Sequence, residues 1–221
     1  MTVLRSVDEV VAVIAAAVVP GQRLIVGIVG PPGAGKSTLA EDVVTRLAEE
    51  GAKTDARVGA ALLPMDGFHL PQQRLVKLGS RARMGAPDTF DVAGFVSTLT
   101  ALRSPSAFGN SGNAVSAPGF DRTIEEAVPG AIVIGPEFPI VVVEGNYLLL
   151  DSDGWGAVAP LLNMTIFVRL ERGIRLARLI DRHVRFGKSP DAARAWALGP
   201  DETNARLIEG TSHRATHVVE L

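Results

Sequence analysis

Residues 24–39 read Leu24-Ile25-Val26-Gly27-Ile28-Val29-Gly30-Pro31-Pro32-Gly33-Ala34-Gly35-Lys36-Ser37-Thr38-Leu39. The first six form an apolar run, the next eight fit G-x-x-x-x-G-K-S, and a helix start follows. A strand, a glycine loop and a helix N-terminus in that order make a phosphate cradle. Glycines let backbone N–H groups turn inward, and the helix end adds partial positive charge. In such a loop Gly30, Pro31, Pro32, Gly33, Ala34, Gly35 and Thr38 surround the phosphates. Lys36 reaches the β- and γ-phosphates, and the Ser37 hydroxyl sits on Mg²⁺. The stretch predicts a nucleoside triphosphate site, with ATP and Mg²⁺ as its cofactors.

Outward from it, apolar runs alternate with helical stretches. Strands are expected at about 23–29, 58–65, 139–144, 164–169 and 216–220, and helices at 7–18, 36–50, 91–102, 171–186 and 190–198. This alternation predicts an α/β fold: a three-layer α/β/α sandwich on a mostly parallel sheet, the P-loop NTPase arrangement. The 221 residues suit one domain spanning 1–221. Residues 104–119, rich in Ser, Gly, Asn and Pro, read as a flexible surface loop, and 124–138 as a short hairpin.

A net charge of −2 gives no sign of nucleic-acid binding. With no cysteine there is no disulfide framework, thiolate metal site or cysteine nucleophile, which fits a cytoplasmic protein. The apolar segment 10–19 follows Asp8 and Glu9 and is too short to span a bilayer, so it reads as a first helix packed on the sheet. No membrane partner is expected, and a homodimer stays open.

Three further groups of residues carry chemistry. Asp66 ends the second apolar run, where open α/β sheets collect ligand-contacting residues. A carboxylate there can take the proton of an attacking hydroxyl, though an Asp-Gly turn is the plain alternative. Glu144 ends the run Val141-Val142-Val143 and can orient Mg²⁺ or its water; a strand-end charge is the alternative. Asn146 follows, to contact substrate or close the turn. From Arg169 to Lys188 there are seven basic and two acidic residues. Arg175, Arg178, Arg182 and Arg185 fall on one helical face, with Leu176, Ile180 and Val184 roughly opposite. A face of one sign repels itself unless an anion neutralises it, so it reads as a helical lid, at about 171–200, closing over polyphosphate.

Here the chain resembles the P-loop kinases that include uridine kinase, phosphoribulokinase and bacterial pantothenate kinase. Met65-Asp66-Gly67-Phe68, Gly85-Ala86-Pro87-Asp88-Thr89-Phe90-Asp91 and Ile180-Asp181-Arg182-His183-Val184-Arg185-Phe186 are similar to segments of the pantothenate kinase branch. Glu144-Gly145-Asn146-Tyr147-Leu148-Leu149-Leu150-Asp151 looks like the pattern of bacterial kinases described as fructose-transport-system kinases. The resemblance covers nearly the whole chain. It implies Asp66 as catalytic base, Glu144 as the second acidic motif, and Arg182, then Arg178, as lid arginines. It also implies substrate contacts at His69, Asp88, Asp121, Arg122 and Asn146. His69 can equally be a packed histidine, and Arg122 replaces a His of the pantothenate kinase substrate segment. Asn204 can approach the base of the nucleotide or cap a helix. His213 and His217 lack metal-ligand company.

The expected activity is transfer of the γ-phosphate of ATP to a hydroxyl of a small molecule, a sugar or related metabolite. Where uridine kinases hold the ribose with an Asp, this chain has Gly85, which counts against a nucleoside. Uridine-, pantothenate- and phosphoribulokinase-like substrates stay as alternatives. From another class, a switch or motor ATPase acting on a protein partner is the rival. The Asn-Lys-x-Asp element of a GTPase and the Leu-Ser-Gly-Gly-Gln signature of an ABC-type ATPase are both absent.

Overall fold

The computed structural model of the chain describes residues 2–54, 59–109 and 112–221. Its elements run β1 (Thr2–Leu4), α1 (Val7–Ala16), β2 (Leu24–Val29), α2 (Lys36–Thr54), β3 (Ala60–Pro64), α3 (Gln72–Lys77), α4 (Val92–Arg103), β4 (Val115–Asp121), β5 (Glu126–Ile134), β6 (Ile140–Gly145), β7 (Met164–Arg169), α5 (Arg172–Arg185), α6 (Pro190–Leu198), α7 (Pro200–Glu209) and β8 (His217–Glu220). Six strands form one parallel sheet in the order β1-β8-β7-β2-β6-β3.

The period of two along each strand divides the core into two layers. Leu24, Val26 and Ile28 face one side with Ile140 and Val142, against Val10, Val11 and Ile14 of α1 and Leu39, Val43 and Leu47 of α2. Ile25 and Val29 face the other with Val141 and Val143, against Phe95, Leu99 and Leu102 of α4 and Ile208 of α7. Strands buried on both faces need apolar residues at every position, which is why β2 and β6 read as unbroken runs. Residues 10–19 do supply a helix packed on the sheet, ending at Ala16.

Register brings the chemistry to one edge. Ile28 pairs with Glu144, Val29 with Gly145, and Pro64 with Glu144. The glycine loop after β2, the 3-10 turn Met65–Phe68 after β3 and the end of β6 therefore emerge side by side. Asp91 caps α4 by accepting from the Gly94 N–H, and Glu171 caps α5 by accepting from Gly173 and Ile174.

Three expectations are corrected. Residues 104–119 are not all loop: Pro105–Ala107 form a 3-10 turn and β4 begins at Val115, while 110 and 111 lie outside the described residues. β4 pairs antiparallel with β5, so the hairpin spans 115–134 rather than 124–138. Composition hid this strand because Pro118 and Gly119 weaken β-propensity; a register shift between Ala117 and Gly119 accommodates them. The strand foreseen at 58–65 is described from Ala60, with residue 58 outside the described range. Lastly, α7 was not foreseen, although Gly199-Pro200-Asp201-Glu202 carries a proline at the first helical position and an acidic first turn.

Candidate active site

The glycine loop is tight because α5 presses on it. A Cβ on Gly33 would lie 2.7 Å from the Leu179 side chain and 3.0 Å from the Arg175 carbonyl of α5. Gly33 (φ +79°) and Gly35 (φ +94°) also take the left-handed backbone that turns N–H groups toward one point. Inside the loop Lys36 is buried, and its ammonium donates one long hydrogen bond, 3.4 Å, to the Pro31 carbonyl. Burial pushes that ammonium below its ordinary value, while Glu144 and then Asp66 pull it back. A buried cation with donors to spare is a site for an anion.

Glu144 is buried as well, and among the described residues it has no ion pair within 4 Å. Burial pushes its carboxyl up, Lys36 pulls it down, and the Ser37 hydroxyl also favours the charged form. Hydroxyl and carboxylate are the hard oxygen donors that suit Mg²⁺, which prefers few protein ligands plus phosphate oxygens. Among the described residues no three His, Asp or Glu side chains gather as a protein-built cage. The pair fits an ion that arrives with nucleotide phosphate.

Asp66 lies half-buried on its 3-10 turn, and its Oδ2 accepts from the Arg122 guanidinium at 3.0 Å. Arg122 comes from the turn between β4 and β5. That hairpin sits hard against the Asp66 turn: a Cβ on Gly67 would lie 2.1 Å from the Pro118 carbonyl. His69 packs its ring 4.0 Å from Phe90 and 4.9 Å from Phe120. Burial lowers its pKa, so the neutral ring donates from Nδ1 to the Asp66 carbonyl at 2.8 Å. Its Nε2 then keeps a lone pair toward the cavity.

Two cavities flank this edge. One, about 580 Å³, is lined by Gly33, Gly35, Thr38, Asp42 and Arg178. The other, about 560 Å³, is lined by Asp66, His69, Asn146 and Asn204. Lys36, Ser37, Arg122, Arg182 and Phe186 line both. A phosphate chain entering from the first side ends where a group in the second can meet it.

Comparison with known proteins bears on the family and the fold. Residues 25–195 match the model of the Phosphoribulokinase / Uridine kinase family. The chain belongs to that family. This kinase is 33% identical over 203 residues to the Uncharacterized protein YggC of Escherichia coli K12, covering 91% of this chain and 79% of that one. It is 29% identical over 162 residues to the Uridine kinase of Leuconostoc citreum, covering 73% and 69%. Its fold superimposes with a TM-score of 0.84 on a crystal structure described as a putative fructose transport system kinase from Silicibacter sp. TM1040, at 34% identity over 97% of this chain and 99% of the other.

The kinase does not bring every expected residue to the site. Asp88 and Asp121 line neither cavity: Asp88 holds Arg83 through two bonds of 2.9 and 2.6 Å, and Asp121 accepts from Thr123 in the hairpin turn. The arginine face of α5 divides. Arg178 and Arg182 line the cavity beside Gly33 and Gly35, and Arg185 lines neither. Arg175 turns inward, fully buried, and donates to Glu202 of α7 at 2.6 Å. The buried side of α5 is Arg175, Leu176 and Leu179, while Val184 is exposed. Helical periodicity alone could not show that an arginine's counter-ion waits 27 residues on.

Residues given little or no site role from the sequence complete the second cavity. Gly85 (φ +95°) offers its carbonyl to the Tyr147 hydroxyl at 2.5 Å and to the Asn204 amide at 3.3 Å. Asp201 is buried and accepts from His183 Nε2 at 2.7 Å. Lys188 rests 4.7 Å above the Trp196 ring. Spacing in the sequence carried no sign of Asp201, because its partners sit on other helices.

Proposed function

We propose that this kinase transfers the γ-phosphate of ATP to a hydroxyl of a small molecule, a sugar or related metabolite, with Mg²⁺. The observation that carries the reading is the common wall of the two cavities: Lys36, Ser37, Arg122 and Arg182 face both, and Asp66 faces only the acceptor side. Lys36 and the loop N–H groups hold the phosphates. Ser37 and Glu144 hold the metal ion, which when bound neutralises charge on the β- and γ-phosphates. Arg182 and Arg178, on α5, act as a lid that stabilises charge on the transferring group.

In the reaction the acceptor hydroxyl oxygen forms a bond to the γ-phosphorus. The bond from that phosphorus to the β–γ bridging oxygen breaks, and ADP leaves. The hydroxyl proton passes to Asp66. Arg122 holds one Asp66 oxygen, which fixes the carboxylate's orientation and leaves the other oxygen for the proton. Positioning and electrostatics supply most of the rate. Among the described residues no helix is long and apolar enough to cross a membrane.

The test is Asp66→Asn, measured as ADP formation against a panel of sugars, nucleosides, pantothenate and ribulose phosphate. ATP binding should survive and turnover should fall by about two orders of magnitude or more. Near-normal turnover would remove Asp66 as the base.

A further inference from the structure

Several polar groups at the end of the acceptor cavity away from Lys36 can be followed to their partners. Arg81 donates to Gln72 at 3.1 Å and to Glu125 at 3.0 Å. Arg122 is held by Asp66. His183 is held by one Asp201 oxygen, Oδ2. Asn204 spends its amide N–H on the Gly85 carbonyl. Among the cavity-lining atoms that make no hydrogen bond or ion pair within the described residues are Asp201 Oδ1, Asn204 Oδ1, Lys188 Nζ and the Arg182 guanidinium.

Asp201 and Asn204 are three apart on α7, so they share one helical face with their Cβ atoms about 5–6 Å apart. Both residues are buried, at 8% exposure each, while their unpaired oxygens stay open to the cavity. Burying a carboxylate and an amide is costly unless something meets their oxygens. What they offer is two hydrogen-bond acceptors side by side, and what fits them is two neighbouring donors. Hydroxyl groups on adjacent carbons supply such donors. A carboxylate or phosphate supplies only more acceptors, and here it would face Asp201 and Glu125; Arg81 and Arg122 are held by Glu125 and Asp66, and Arg182 is the cation that the kinase reading gives to the transferring phosphate.

We propose that α7 carries the acceptor-recognition subsite. Asp201 and Asn204 accept from two neighbouring hydroxyls of an uncharged polyhydroxylated compound, a sugar or sugar alcohol. Lys188 donates to a further oxygen, and the Trp196 face borders the same space. A hydroxyl at the other end of the compound then meets Asp66. This inference rests on the kinase reading above and adds to it the charge of the acceptor and the residues that select it.

The experiment pairs each neutral acceptor with its charged counterpart: hexoses, pentoses and sugar alcohols against their phosphate esters and sugar acids. Wild type, Asp201→Asn and Asn204→Ala are compared. A non-hydrolysable ATP analogue should bind all three within about twofold, which shows that the variants fold. The neutral member of a productive pair should exceed its charged partner at least tenfold in kcat/KM. Each substitution should raise KM for the neutral acceptor by about 10- to 100-fold, the loss of roughly 1–3 kcal/mol expected when a buried polar group loses its partner, and more than it lowers kcat. Preference for the anionic member, or an unchanged KM in both variants, would overturn the subsite while leaving the kinase reading intact. If no acceptor promotes ADP formation, the kinase reading fails instead. The subsite is then decided by calorimetry with the ATP analogue present: binding of neutral polyols to wild type but not to Asp201→Asn upholds it, and equal or absent binding overturns it.

Discussion

Replacing Glu202 by glutamine should harm the fold far more than replacing its partner Arg175 by methionine, and the structure gives the size of the difference. Arg175 is 1% exposed, and its one short contact is the 2.6 Å bond from Nη2 to Glu202. Its Nε and Nη1 are buried without hydrogen-bond partners, and Glu209 is 3.9 Å away. Glutamine at 202 leaves that guanidinium buried and uncompensated, which costs about 3–5 kcal/mol. Methionine at 175 instead removes the cation together with its two orphaned donors, whose burial costs about 1–3 kcal/mol, and keeps most of the stem's packing. Glu202 would still be met by Arg172 at 2.8 Å and Arg206 at 3.6 Å. Both arginines are well exposed and worth little, so the net loss for Arg175→Met is about 0–2 kcal/mol.

Urea unfolding at neutral pH separates the two. For a chain of this size the gap should also appear as about 2–4 °C in Tm per kcal/mol. The double variant should be closer to Arg175→Met than to the sum of the singles. Burial pushes the Glu202 carboxyl up, but bonds from Arg172 and Arg175 outweigh it, and its pKa stands below the ordinary 4.5. A folded-state pKa lowered in this way adds stability that is complete above 4.5 and fades as pH falls. The deficit of Glu202→Gln should therefore shrink on acidification below about pH 4.5. If Arg175→Met proves as destabilising as Glu202→Gln, the reasoning about the orphaned guanidinium is wrong.

Three shorter predictions test the site. Lys36→Ala should abolish tight binding of an ATP analogue in calorimetry; retention of binding within tenfold would show that the loop backbone alone holds the phosphates. Arg182→Ala should lower kcat more than it raises the nucleotide Kd, and the opposite pattern would make it a binding residue. Gly67→Ala drives a methyl into the Pro118 carbonyl, so it should cost about 1–3 kcal/mol in urea unfolding and displace the hairpin bearing Arg122; an unchanged Cm with unchanged turnover would refute that packing argument.

The parts of this molecule legible in its sequence are those whose cause is local. The order of β2, the glycine loop and α2 follows from adjacent residues, as do β7 over 164–169 and α6 over 190–198. Glu144 reaches Ser37 and Lys36 because two unbroken valine-rich strands lie in register, and each strand announces itself. The illegible parts depend on contacts between distant segments. β4 is a strand only because β5 covers its poor β-formers. Arg175 reads as one more surface arginine until Glu202 is placed beneath it. Asp201 and Asn204 look like helix-start residues until α7 lies beside Gly85.

These distant contacts also decide how the two cavities communicate. α5 reaches the nucleotide side with Arg178 and Arg182, and its Arg175 and Leu179 pack directly on Gly33. The same helix is tied to α7 at three points: Arg172 and Arg175 to Glu202, and His183 to Asp201. These ties are short, and two of the five side chains, Arg175 and Glu202, are almost wholly buried. A helix joined this way cannot shift toward bound phosphate without taking its partner along, because breaking the buried pair costs several kcal/mol. The surfaces proposed here to meet the nucleotide and the acceptor are therefore joined into one piece. A kinase that must hold its phosphate from water until the right hydroxyl arrives gains from that arrangement: closing on one substrate sets the walls of the site for the other.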